Sequence, residues 1–186
     1  MKHMIETMKL EKGKVTMCDM PFIFTFTKSI YYMQKELEKV LGEKWKKIFY
    51  ERGREDGMFT NTNYLAMFRD EPRIKKLLLA DKPDSQNKID SLKFGLNEFN
   101  KLGLGKVELV SADSAKPRFI FRYYFSPIAL AYLEHKKTTE PMCYHFTGVW
   151  AGGTSILYPG VEAVETKCMA KGDPYCEFIV EIPKKR

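Results

Sequence analysis

At 186 residues with 44% apolar side chains, the chain has enough material for one packed domain and shows no compositional sign of disorder. Its 31 Lys and Arg against 24 acidic residues give a net charge of +7, but the basic residues are scattered and form no long block, which argues for a solvated surface and against a nucleic-acid groove. No run approaches the roughly 18 uninterrupted apolar residues of a membrane span, and Met1 to Lys14 lacks the apolar centre of a signal peptide, so a soluble, cytoplasmic protein without a membrane span is expected.

Residues 1–20 read as an N-terminal extension of a single domain covering 1–186. Met20 to Thr27 is apolar, aromatic and β-branched, the composition of a strand, and leads into a helix at Ser29. Ile30, Met33, Leu37, Val40, Leu41, Trp45, Ile48 and Phe49 recur at helical spacing until Gly53 and Gly57 weaken the pattern. Asn61 to Arg69 and Pro72 to Ala80 read as shorter helices, the second with proline in a permitted first turn. Asp84 can cap a helix carrying the stripe Ile89, Leu92, Leu96, Phe99 and Leu102, which stops at Gly103.

From Lys106 the period changes to that of strands. Residues 107–110 and, after a turn near Pro117, 119–125 read as an antiparallel pair. Ser126-Pro127 opens a short helix over Ile128 to His135. Tyr144 to Tyr158 is ambiguous, because Gly148, Gly152 and Gly153 weaken a helix yet allow one to pack closely; helix is the preferred reading. Val161 to Lys167 and Cys176 to Ile182 close the chain as a hairpin. Helices early and strands late predict an α+β domain with helices packed on an antiparallel sheet.

Three of the four cysteines and one carboxylate carry the most chemistry: Cys143, then Glu165-x2-Cys168-x7-Cys176. Gly172, Asp173 and Pro174 form a turn that would bring Cys168 and Cys176 face to face across a hairpin stem. Three residues apart on a flat strand, Glu165 and Cys168 would point to opposite faces, so a bulge must turn both inward. Three thiolates and a carboxylate suit zinc, which accepts both in a tetrahedron. The same residues also fit buried structural thiols or a Cys168–Cys176 disulfide, and the spacing is not that of a common zinc finger. Cys18 stands apart as an expected buried thiol.

Phe119, Phe121, Tyr123 and Phe125 alternate along one strand face, and such a wall, with Trp150, would either line an apolar ligand pocket or serve as core. Gly103-x-Gly105-Lys106 lies between a helix and a strand, the reverse of a phosphate loop, and reads as a cap and turn. His135 and His145 lack an evident catalytic partner, and there is no dinucleotide fingerprint.

The segment Phe146-Thr-Gly-Val-Trp-Ala-Gly-Gly-Thr154, with Val164-Glu-Thr-Lys-Cys168 and Gly172-Asp-Pro-Tyr-Cys-Glu-Phe-Ile-Val180, resembles the C-terminal signature of the 4-vinyl reductase (4VR) domain family. The resemblance implies an α+β ligand-binding fold of the nitric-oxide-signalling and Golgi-transport type, related to transport-particle (TRAPP) subunits and haem nitric-oxide sensor domains. Phenol-sensing members carry a Cys, Glu, Cys, Cys zinc site, and the matching positions here are Cys143, Glu165, Cys168 and Cys176. The resemblance therefore implies a closed, structural Zn2+ within residues 140–182, since four protein ligands leave no open position. It also implies a homodimer and a small hydrophobic or aromatic ligand in a sensory or regulatory role, without the ATPase and DNA-binding segments of those activators. An enzyme of tetrapyrrole metabolism and a protein-interaction module like the TRAPP subunits are the rival expectations.

Overall fold

The computed structural model describes residues 4–17, 20–22 and 25–184. Cys18, part of the strand expected over Met20 to Thr27, and the last two residues of the basic tail lie outside the described residues.

The N-terminal region forms a meander of β1 (Lys9–Glu11), β2 (Lys14–Met17) and β3 (Met20–Phe22), antiparallel throughout. Its first hairpin turns on Lys12 and Gly13 with φ of 49° and 76°, the two left-handed positions that a two-residue turn needs to match strand twist.

The long helical pattern resolves into two helices, α1 (Thr27–Leu41) and α2 (Lys44–Met67). The break falls at Gly42, whose φ of 53° and ψ of −146° end α1. Gly53 and Gly57, expected to weaken the helix, lie inside α2, which runs on through the segment read as a separate helix from Asn61. Two further helices begin on carboxylate caps. Glu71 accepts from Arg73 N at 2.7 Å and Ile74 N at 3.2 Å to start α3 (Pro72–Leu79), and Asp84 accepts from Asn87 N at 2.7 Å to start α4 (Ser85–Lys101).

The second sheet contains β4 (Lys106–Asp113), β5 (Arg118–Tyr124), β6 (Glu162–Lys167) and β7 (Cys176–Glu181) in the antiparallel order β4-β5-β7-β6. Between β5 and β6 lie α5 (Pro127–Leu133), capped by the Ser126 hydroxyl, and α6 (Tyr144–Ser155). The result is an α+β fold.

Helix α6 is the middle layer, and its composition explains why. Phe146 and Trp150, four residues apart and so on one face, meet the sheet: Trp150 stacks on Phe121 with centroids 5.4 Å apart, and Phe146 meets Tyr123 edge-on at 5.0 Å. Gly148 and Gly152, also four apart, meet α2 instead. A Cβ on Gly148 would stand 2.7 Å from Arg54 N, and one on Gly152 would stand 2.8 Å from the Arg54 carbonyl carbon. Reciprocally, a Cβ on Gly57 would lie 2.8 Å from Gly153 N, and one on Gly53 would lie 2.8 Å from the His145 carbonyl carbon. The two backbones are in direct contact, so the glycines that weaken the helix pattern are what let these helices pack.

Along β5, Phe119, Phe121 and Tyr123 are buried at alternating positions, matched by Phe178 and Val180 of β7. Phe125 does not continue that face. The strand ends at Tyr124, and Phe125, with φ of 60°, turns its ring outward to 65% exposure.

Candidate metal centre and adjoining cavity

Four residues from three elements converge at one end of α6. Cys143 is the N-cap of α6, Cys168 follows β6, Cys176 begins β7, and Glu165 lies near the end of β6. The β6–β7 register shifts between Glu165 and Lys167, so Thr166 is the extra residue that turns Glu165 to the side of the thiols. A short 3-10 turn over Met169–Lys171 ends on Gly172 at φ 96°, and Asp173 folds back to accept from Cys168 N at 2.8 Å.

One donor atom from each of Cys143, Glu165, Cys168 and Cys176 lies within 4.8 Å of all the others, forming a cluster able to hold a metal ion. The Cys143 and Cys176 sulfurs are 3.7 Å apart, and those of Cys168 and Cys176 are 4.0 Å apart. Zn–S bonds of about 2.3 Å in a tetrahedron would separate sulfurs by about 3.8 Å, whereas a disulfide requires about 2.05 Å. All three cysteines are free and buried. Backbone donors surround the group: Cys143 N gives a hydrogen bond to Glu165 Oε2 at 2.9 Å, and Met169 N gives one to Cys176 Sγ at 3.3 Å. Ser126 Oγ, fully buried, lies 3.4 Å from Cys143 Sγ. Sequence reading assigned Ser126 only to a helix start; nothing in the pattern ties it to a cysteine 17 residues away.

The electrostatics call for a cation. Burial, and then the charge on Cys168, push the Glu165 carboxyl up to about 9, and its Oε1 is buried without a hydrogen-bond partner. Hydrogen bonds from Cys143 and Cys176 pull the Cys168 thiol far down, making it the thiolate of the metal-free group. Burial, and then the contact with Cys168, raise Cys143 well above the ordinary thiol value. For Cys176 the contact with Cys143 favours the thiolate, but the bond it gives to Cys168 and burial outweigh it, so this thiol is raised too. An orphaned carboxylate oxygen and three clustered thiols, out of water, fit a divalent metal.

The second feature is a cavity of about 120 Å3 enclosed by α2, α4, α6 and β5. Its wall includes Tyr64, Ser91, Gly95, Phe99, Phe121 and Trp150, and none of the lining residues is charged. Of the aromatic residues singled out from sequence, Phe121 and Trp150 line it. Phe119 and Tyr123 are core residues away from it, packed on Tyr158 and Phe146 respectively, because each stands one pleat repeat along β5 from Phe121. Tyr64 and Gly95 could not be anticipated, since they come from two helices whose apposition no local pattern records. His135 stacks on Tyr31 at 4.1 Å and His145 pairs with Asp56 at 3.0 Å, outside both features.

Residues 124–182 match the sequence pattern of the vinyl-4-reductase (4VR) domain family. The chain carries a 4VR domain. The matched segment opens on the last residue of β5 and takes in α5, α6 and the β6–β7 hairpin, hence all four residues of the cluster. Two uncharacterized proteins of Methanocaldococcus jannaschii are similar: one is 37% identical over 86 residues, 46% of this chain and 42% of its own length. The other is 49% identical over 45 residues, 24% of this chain and 26% of its own length. The match thus spans less than half of each curated relative. Among solved structures, the phenol-responsive sensory domain of the transcription activator PoxR, determined with phenol, aligns at a TM-score of 0.77 over 96% of this chain and 86% of that one, with 18% identity. At that identity the 4VR chain and the PoxR domain are alike in fold.

Proposed function

We propose that this chain is a zinc-stabilised binding domain in which the ion, held by Cys143, Glu165, Cys168 and Cys176, pins the β6–β7 hairpin to the start of α6, while the neighbouring cavity takes up a small apolar molecule in a sensory or carrier role. The cavity carries this reading. Its size approaches that of the roughly 150 Å3 apolar cavity known to take up benzene, and its wall is aromatic and aliphatic. The likeness in fold to a domain determined with phenol supports it. A vinyl-reducing enzyme would have to admit a tetrapyrrole, and the cavity is well below the about 300–1,000 Å3 of sites for drug-sized ligands.

The working unit in this reading is a homodimer. Phe26, Ile30, Met33, Leu37 and Val40 follow the alternating four- and three-residue spacing of a coiled-coil seam along α1. Phe26, Met33 and Val40 are 84%, 55% and 80% exposed, so the seam is free to meet the same stripe of a second copy.

Native mass spectrometry of untagged, reduced protein together with thermal melts in saturating toluene tests all three parts. The expected result is one zinc per chain, a dimer mass, and a melting temperature that rises with toluene concentration, as binding to the folded state alone requires. Metal-free protein from a fresh reduced preparation would remove the zinc, a monomer mass would remove the seam, and a melt indifferent to toluene would remove the cavity from the reading.

A further inference from the structure

The cavity wall contains two polar atoms that nothing in the protein satisfies. Tyr64 Oη and Trp150 Nε1 are buried without hydrogen-bond partners, although both side chains are more than nine-tenths buried, at 6% and 7% exposure. Such groups are costly in an apolar setting, and buried donors are almost always paired. Both belong to residues that line the one cavity, Tyr64 from α2 and Trp150 from α6. A third observation points to the same space. Gly95 sits in the interior of α4, where glycine weakens a helix, and a Cβ there would lie 3.9 Å from Tyr64 Oη in ordinary contact. No crowding forces glycine at this position; its missing side chain leaves room in front of the hydroxyl.

We infer that the cavity selects a neutral, one-ring-sized molecule carrying a hydrogen-bond acceptor oxygen, a carbonyl above all, and that Trp150 Nε1–H and Tyr64 Oη–H donate to it. The inference rests on the small-molecule reading above and specifies its ligand. An indole N–H can only donate, so one of the two anchors demands an acceptor. A carbonyl oxygen has two lone pairs and can take both donors. An anion is disfavoured: no Lys, Arg or His lines the cavity, and among the charges acting on the Tyr64 hydroxyl the carboxylates of Glu98 and Glu71 precede the guanidinium of Arg73. A hydrocarbon would fill the volume but leave both donors unpaired.

Cyclohexanone and methylenecyclohexane differ only in C=O against C=CH2, and titrating both into wild type and Tyr64→Phe isolates the hydrogen bond from the hydrophobic contribution. Wild type should bind both. Tyr64→Phe should weaken cyclohexanone by about tenfold, the size of one buried hydrogen bond, and leave methylenecyclohexane unchanged. The variant should melt no lower than wild type without ligand, because the hydroxyl it removes has no partner. Gly95→Ala should weaken both probes by occupying the space, and cyclopentanecarboxylate should bind to neither protein. Equal effects of Tyr64→Phe on the two probes would overturn the acceptor inference while the cavity reading stands. If neither probe binds wild type, the cavity reading itself fails and the inference with it.

Discussion

Gly152→Ala should leave little or no native protein, and Gly148→Ala should do the same. The added Cβ of either would coincide with a carbonyl oxygen of α2, that of Arg54 or of Tyr50, and the next neighbours are also main-chain atoms. A flexible side chain could swing aside, but a carbonyl inside a hydrogen-bonded helix cannot, so the methyl group can be accommodated only by separating α2 from α6. That contact is the most extensive between helices in the chain, and opening it would strip packing from both sides of the central layer. Overpacking in cores ordinarily costs about 1–3 kcal/mol; a rigid main-chain overlap belongs to the rarer class above about 4 kcal/mol. Against a total stability of about 5–15 kcal/mol this is decisive. Gly153→Ala is the control. Its Cβ would meet only Gly57 O at 3.7 Å, so the substitution should be tolerated, with a gain of up to about 1 kcal/mol in helix propensity. Circular dichroism melts of the variants decide the matter; a Gly152→Ala protein melting within a few degrees of wild type would mean that the two backbones are not in contact.

Cys168→Ser should abolish metal binding and lower the melting temperature by about 10 °C or more, as several kcal/mol lost from a chain of this size would do. Cys168 is chosen because it holds the charge of the metal-free group: its sulfur accepts from Cys143 and Cys176, and a serine hydroxyl supplies neither the charge nor the soft donor. The protonation pattern yields a second readout. At neutral pH the metal-free group holds protons on Cys143, Cys176 and Glu165, so zinc uptake should release three, measurable by calorimetry in buffers of different ionisation enthalpy. The same pattern fixes the pH dependence of the metal-free fold. Because Glu165 is raised from 4.5 to about 9, its contribution is present below pH 4.5 and is lost as pH rises through about 9. Metal-free protein should therefore weaken as pH rises across that window, and the metal-loaded protein should not share this loss. A Cys168→Ser protein that keeps its metal and its melting temperature would exclude a stabilising role for the cluster.

The grouping of Cys143, Glu165, Cys168 and Cys176 was legible because ligand chemistry is written in residue identity and the turn at Gly172 to Pro174 has a local signature. Even the bulge followed from arithmetic on a three-residue spacing, and it lies at Thr166. The alternation in β5, the Asp84 cap and the antiparallel hairpins were legible for the same local reasons. What could not be read depends on which elements meet. Gly53 and Gly57 look like helix breakers to any propensity argument and are instead places where α6 approaches α2, a tertiary contact overriding a local preference of about 1 kcal/mol. The aromatic row of β5 announced an apolar wall without saying that the opening lies over Phe121 alone, because that depends on the absence of a side chain at Gly95 in α4.

The main-chain contact between α2 and α6 has a kinetic consequence. Half of the cavity wall is a pair of helices locked backbone to backbone, so it cannot be the door. The remaining helical wall is α4, which follows the irregular segment 80–84 and is succeeded by Gly103 and Gly105, both at positive φ, where the chain can pivot. A guest molecule would come and go by displacing α4, and amide hydrogen exchange should record faster opening along α4 than along α6. Residence time would then be governed by the ends of α4, and selectivity by the locked wall that carries Tyr64 and Trp150.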